Sequence, residues 1–163
     1  MKYINYSSPV GQLLLAVSEL GLSGVYFENH KHFKGSAGWQ EDESDHVLIK
    51  ARQQLQEYFA GQRQDFDLPL DLSAGTDFQQ EVWAALRRIP FAQTSSYLAL
   101  AQGIARPKAM RAVGAANGRN PLSIIVPCHR VIASNGALTG YAGGLQNKEA
   151  LLMLERKFSK WQA

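Results

Sequence analysis

The spacing of apolar residues changes partway along this chain, and that change limits the folds open to it more than any other feature. Residues 2–6, 12–17 and 21–27 are short apolar or alternating runs, separated by the turn-forming Pro9-Val10-Gly11 and Glu19-Leu20-Gly21. Alternate side chains of a strand face opposite sides, so these runs predict an antiparallel meander. From residue 47 the spacing becomes helical. Apolar residues at 47, 48, 51, 55, 58 and 59 form one stripe, stopped by Gly61. Strands first and mostly helices after them predict an α+β chain.

The remaining segments fill in that outline. Residues 29–45 are polar and rich in Gly, His, Lys and acids, which predicts a loop. Residues 65–71 predict one more strand, leading into a linker at Leu72-Ser73-Ala74-Gly75. Thr76 or Asp77 then caps a helix to about Ile89, with Phe78, Val82, Trp83, Leu86 and Ile89 on one face and Pro90 at its end. Residues 97–101 predict a short helix ending at Gly103, and Pro107 suits the first turn of another that reaches about Asn117. Two short helices on a tight Gly-containing turn resemble a helix-turn-helix. Residues 124–126 are a buried apolar run ending in Pro127, and Asn147 is expected to cap a last helix over 148–158. The expected organisation is a small β-sheet plus helix domain, residues 1–75, packed on a mainly helical domain, residues 76–163.

With 163 residues, 45% of them hydrophobic, the chain can bury one large core or two small ones that share it. No run approaches the roughly 18 apolar residues of a membrane span, and the alternating N-terminus does not read as a signal peptide. A soluble cytoplasmic protein without a membrane partner is expected. The net charge of +3 hides a split. Residues 1–76 carry six Lys/Arg against ten Asp/Glu, a balance of −4, and residues 77–163 carry eleven against four, a balance of +7. No acid occurs between Glu81 and Glu149, where Arg87, Arg88, Arg106, Lys108, Arg111, Arg119, Arg130 and Lys148 all lie. An acid-free basic stretch of this length points to a polyanionic partner, although a solvated basic face would look the same.

A single cysteine, Cys128, excludes an internal disulfide and any multi-cysteine metal site. It stands in Pro127-Cys128-His129-Arg130-Val131-Ile132. A free thiol with a pKa near 8.5 is only about 3% thiolate at pH 7, and a shift to about 6 would raise that roughly thirtyfold. His129 and nearby cations are expected to supply the shift. Neighbouring side chains of extended backbone diverge, so Cys128 and His129 touch only if the chain turns there; otherwise a water carries the proton.

Pro127-Cys128-His129-Arg130 is similar to the active-site signature of the O6-alkylguanine-DNA alkyltransferases, the methylated-DNA–protein-cysteine methyltransferases. The resemblance runs through the second half. Ser96-Tyr97-Leu98-Ala99-Leu100-Ala101 and Arg111-Ala112-Val113-Gly114 look like that family's helix-turn-helix. Asn120-Pro121, Tyr141-Ala142-Gly143-Gly144 and the stretch from Lys148 to Glu155 fall at its spacing. The first 75 residues match in strand pattern only.

The resemblance implies a ribonuclease H-like N-terminal domain and a one-time, irreversible transfer of a methyl or larger alkyl group from O6-alkylguanine in double-stranded DNA to Cys128. It implies no cofactor and a monomer; no metal is expected, because the N-terminal cysteines that hold zinc in the family are missing from residues 1–76. O4-alkylthymine as a second substrate and cooperative binding along DNA stay open. By the same resemblance, His129 would activate Cys128 through water and Glu155 would orient His129. Asn120 would hold the turn before the active site, and Tyr97 would rotate the backbone phosphate and help release guanine. Arg111 would fill the gap left by the flipped nucleotide, with Ala112, Ala115 and Arg119 along the DNA beside it. Tyr141 would wall a pocket shared with Val131, Ala142, Ser123 and Lys148, and the carbonyls of Cys128 and Val131 would accept from guanine's amine. Flipping fits the chemistry, because a base inside a duplex cannot present its alkyl carbon to a thiolate.

The pattern is departed from at Leu98, where many members carry Gly, at Ala142, where some carry Ser, and at Ser123, where some carry Pro. Zinc ligands known in the family include N-terminal cysteines, and residues 1–76 have none. Two other functions fit less well. A cysteine hydrolase would want a distant histidine, and the one second-half histidine adjoins Cys128. A non-catalytic reader of alkylated DNA would need no nucleophile.

Overall fold

The computed structural model describes residues 1–159, and its first three strands form the expected meander. They are β1 (Lys2–Ser8), β2 (Gly11–Ser18) and β3 (Gly21–Phe27). In β1, Ile4 and Tyr6 are buried while Lys2, Asn5 and Ser7 are exposed, the alternation a half-buried strand requires. A two-residue strand, β4 (Gln40–Glu41), lies parallel to β1 and completes a sheet of order β3-β2-β1-β4. The stretch read as a loop therefore holds a strand, fixed by Gln40 N–H to Met1 O (3.0 Å) and Asp42 N–H to Tyr3 O (3.0 Å). α1 (His46–Phe59) starts at Asp45, whose carboxylate accepts from the Val47 and Leu48 amides. Its buried face, with Leu48, Ala51, Leu55 and Tyr58, packs on the sheet.

Residues 65–71 do not form the expected strand. Pro69 has no N–H to give a ladder, and only Leu70 bridges, to Leu22. The segment hangs on β3 through Leu22 N–H to Pro69 O (2.8 Å) and Asp71 N–H to Leu22 O (2.7 Å). Further along the same strand, Val25 N–H donates to Pro121 O at 2.8 Å. The free edge of β3 is thus closed at two points, and the second fastens the sheet to the segment that leads into Cys128.

In the second half α2 (Asp77–Leu86) opens with a reciprocal box between Thr76 and Gln79. It ends at Leu86, short of the expected Ile89, and tight turns carry the chain to Pro90. α3 (Tyr97–Gly103) is capped by Ser96. α4 (Met110–Gly118) starts after Pro107, because residues 106–109 close a separate turn through Ala109 N–H to Arg106 O (2.9 Å). α5 (Leu145–Ser159) begins before Asn147, which is therefore not its cap; the Asn147 amide donates back to Gly143 O at 2.8 Å. Two short parallel strands, β5 (Ser95–Ser96) and β6 (Val131–Ile132), tie the start of α3 to the end of the cysteine segment. Buried apolar residues from Ile4 to Leu151 make one continuous cluster. Among the described residues, no helix is long and apolar enough to cross a membrane.

Candidate active site

The cysteine segment is folded by its own backbone and by one amide. Leu122 N–H donates to Asn120 Oδ1 (2.9 Å), while Asn120 Nδ2 donates to Val126 O (2.8 Å) and to Cys128 Sγ (3.1 Å). Asn120 is buried, so this side chain staples both ends of the segment. Between them Ile124 sits at φ +74°, in a turn closed by Ile125 N–H to Ser123 O (2.9 Å). A β-branched residue pays about 1–3 kcal/mol for that conformation, which places Ser123 and its hydroxyl beside the thiol segment. After Pro127 the chain turns through one 3-10 turn, Cys128–Arg130.

That turn does not join Cys128 to His129. His129 is fully buried and its Nε2 meets Glu155 Oε2 at 2.6 Å, while its Nδ1 has no partner among the described residues. Glu155 is fully buried as well and accepts five hydrogen bonds. Oε1 takes Ala92 N–H (3.1 Å) and Arg130 Nε (2.9 Å); Oε2 takes His129 Nε2, Arg130 Nη2 (3.1 Å) and the Tyr58 hydroxyl (2.6 Å). Burial pushes the Glu155 carboxyl up, but the bonds and charges of His129 and Arg130 outweigh it and hold it at about 2. Both Arg130 and His129 bond the carboxylate, and Glu155 stays ionised at neutral pH. An ionised Glu155 fixes the imidazole with its proton on Nε2 and leaves Nδ1 as the basic nitrogen.

The thiol itself corrects an expectation. Cys128 is buried, and burial pushes its pKa up, only partly offset by the Asn120 hydrogen bond and the charge of Lys148. The resting residue is a protonated thiol and not a preformed thiolate. Burial likewise lowers the pKa of His129, against the pull of Glu155 and with the push of Arg130 and Lys148. The imidazole is neutral and able to accept a proton.

Other expected residues divide into two groups. Ser123, Val131 and Lys148 are buried, and Tyr141 has a buried hydroxyl that interacts with Cys128 and Ser123. Lys148 Nζ donates to Thr139 O at 3.2 Å, and Tyr97 and Thr139 share a hydroxyl hydrogen bond at 2.5 Å. The loop carrying Thr139, Tyr141 and half-buried Ala142 is therefore pinned from α3 and α5. It is pinned from β3 and the turn after it too, by Lys31 N–H to Ala142 O (2.9 Å) and by the Phe27 ring 5.8 Å from that of Tyr141. Among the described residues, Arg111, Ala112, Ala115 and Arg119 make no side-chain hydrogen bond to this buried cluster. They form the exposed face of α4, opposite buried Val113, Ala116 and Asn117.

Sequence reading missed Tyr58, Arg130 and Ala92 as site residues. It also counted Arg130 and Lys148 with the outward basic stretch, whereas both are buried, and Arg106 pairs with Glu81 at 3.0 Å. Arg87, Arg88, Lys108, Arg111 and Arg119 remain exposed.

Comparison with known proteins identifies both halves. The family described as "6-O-methylguanine DNA methyltransferase, DNA binding domain" matches residues 77–157, and the "ribonuclease-like domain" of the same methyltransferase matches residues 1–72. The chain belongs to the 6-O-methylguanine DNA methyltransferase family. The methylated-DNA–protein-cysteine methyltransferase of Methanosarcina acetivorans is 49% identical over 156 residues, covering 95% of this chain and 98% of that one. The constitutive methylated-DNA–protein-cysteine methyltransferase of Bacillus subtilis is 46% identical over 157 residues, 94% of each chain. The crystal structure of Mycobacterium tuberculosis OGT in complex with DNA superposes with a TM-score of 0.90 at 46% identity, covering 97% of this methyltransferase and 94% of that chain.

Proposed function

We propose that this chain is a single-use repair protein that moves an alkyl group from O6 of guanine in double-stranded DNA onto Cys128, without a cofactor. One observation carries the reading. Around the buried thiol, Ser123 Oγ, His129 Nδ1 and the Tyr141 hydroxyl are buried without a well-formed hydrogen bond among the described residues, Ser123 and Tyr141 making only loose contacts with each other and Tyr141 with Cys128. An under-satisfied buried polar group costs up to about 1–3 kcal/mol, so several beside one nucleophile suit a polar guest that would complete them. A flipped purine supplies the matching donors and acceptors.

In that reaction His129 takes the thiol proton at Nδ1 through a water, with Nε2–H held by Glu155. The Cys128 sulfur bonds to the alkyl carbon as the carbon–O6 bond breaks, and that electron pair goes to guanine. Guanine takes up a proton, so a thiol and an alkylated base become a thioether and the repaired base. Lys148 stabilises the thiolate as it forms, and Asn120 holds the sulfur in line. The carbonyls of Cys128 and Val131 accept from the exocyclic amine, and Tyr141, Ala142 and Ser123 wall the base.

Residues 1–75 act as a ribonuclease H-like scaffold domain, and residues 76–163 as the DNA-binding and acceptor domain. In the latter α3 and α4 serve as a helix-turn-helix laid in the minor groove. Small Ala112 and Ala115 let α4 approach closely, Arg111 fills the vacated stack, Arg119 meets phosphate, and Tyr97 rotates the target phosphate. The protein works as a monomer in the cytoplasm, where its thiol stays reduced.

The test is intact mass after exposure to excess O6-methylguanine duplex. One methyl per chain, on Cys128, is expected, and none on Cys128→Ala. Product released beyond one equivalent per chain, or an unmodified chain, refutes the reading.

A further inference from the structure

α1 belongs to the N-terminal half, yet one of its residues reaches the centre of the site. Tyr58 is fully buried and donates to Glu155 Oε2, the same oxygen that meets His129 Nε2. Its ring packs against Phe59, Phe66 and Phe91, with centroids 5.2, 5.6 and 6.1 Å away. Packing alone would be satisfied by phenylalanine; the buried hydroxyl is a separate feature with a separate consequence.

We infer that Tyr58 is a positioning residue that sets the basicity of His129 by drawing charge from the carboxylate oxygen on which the imidazole rests. The inference rests on the role of His129 proposed above. The charged groups facing His129 are Glu155 and Lys148 from α5 and Arg130 from its own turn, with the Cys128 thiol adjacent. Glu155 is the one anion among them, so whatever weakens its negative charge weakens the hold of His129 on a proton. Arg130 does so permanently and Tyr58 does so through its hydroxyl. Burial and the neighbouring Glu155 push the phenol well above its ordinary range, which keeps Tyr58 a donor throughout neutral pH. A weaker base returns its proton more readily once the leaving guanine needs one, and by this contact the N-terminal half takes part in proton transfer.

Two readouts test this on the full chain: NMR titration of the His129 ring, and the acid limb of the single-turnover transfer rate against pH. Tyr58→Phe keeps the ring, and both midpoints should rise by about half to one pH unit, a threefold to tenfold gain in proton affinity. Replacing Tyr58 with 3-fluorotyrosine keeps the hydroxyl and the packing while strengthening the donor, and should move both midpoints down. It serves as the test even if Tyr58→Phe does not fold. Unmoved midpoints with only a lower Tm would overturn the inference and leave Tyr58 a packing residue. A His129 midpoint that moves while the acid limb of the rate stays fixed upholds the effect of Tyr58 and refutes His129 as the base.

Discussion

Replacing Arg130 by methionine should damage the protein most at neutral pH and least in acid. The wild-type guanidinium is nearly buried, reaches both oxygens of Glu155, and donates to Ile89 O at 2.7 Å. Removing one partner of such a pair strands the other charge, at about 3–5 kcal/mol. The pH dependence follows from Glu155, held at about 2 against an ordinary 4.5. A depressed carboxyl pKa contributes stability that is complete above the ordinary value and is lost as pH falls toward the folded one. The interval is worth about 3 kcal/mol in full, about 2 of it gone by pH 3. Without Arg130, Glu155 keeps the depression that His129 supplies and loses the part that Arg130 adds, so the variant has less of this term left to lose. His129 acts in the same direction, because losing a neighbouring cation lets it protonate more easily. Asp42, also held at about 2, by Ser44 and Lys2, is common to both proteins and cancels in the difference. Equilibrium urea unfolding at pH 7, 5, 4 and 3, followed by tryptophan fluorescence, measures the gap directly. It should narrow toward acid, by at most about 2 kcal/mol between neutrality and pH 3. A gap that stays constant would mean that Arg130 stabilises the chain by packing and not by holding Glu155 ionised.

Arg111→Ala should slow transfer from duplex DNA about tenfold or more even at saturating DNA, since flipping costs a few kcal/mol that an inserted side chain offsets. Its reaction with free O6-alkylguanine should be unchanged; full recovery at saturation would reduce Arg111 to a phosphate contact. A Cβ added to Gly143 would overlap the buried Phe27 ring that lies against Tyr141. Gly143→Ala should therefore lower stability by about 1–3 kcal/mol and slow transfer, with Phe27→Leu restoring part of both. An unaltered Tm and rate would show that the pocket loop gives way freely.

The parts of this fold that could be read from sequence are those with a repeating signal. The meander announced itself by alternation, α1 by its stripe, and α2 by its stripe and by a cap at Thr76 or Asp77, which Thr76 fills; the Asp45 cap of α1 lay inside a stretch read as loop. β4, β5 and β6 have two residues each and no period to detect, and they exist because other segments lie beside them. Residues 65–71 looked like a strand because apolar residues alternate there, but Pro69 removes a donor where a ladder would need one. The candidate nucleophile Cys128 and candidate base His129 were legible from one local motif. Their support was not: Tyr58 is accounted for in sequence by its place on an apolar stripe, and its partner is 97 positions away. Arg130 was hidden differently, as one cation in a basic stretch, when its guanidinium in fact faces inward to Glu155.

The burial of a still-protonated Cys128 bears on how long an unused molecule keeps its capacity. Peroxide and soluble disulfides are attacked by the thiolate, and they need to reach it. A residue only 3% exposed, its sulfur capped by the Asn120 amide, offers them neither the ionised form nor an easy path. A protein that can act once cannot recover from an oxidised nucleophile by turning over. Keeping the sulfur inert until a base enters the cavity preserves its single equivalent through long idle periods, and a faster, exposed thiolate would be spent on the wrong electrophile.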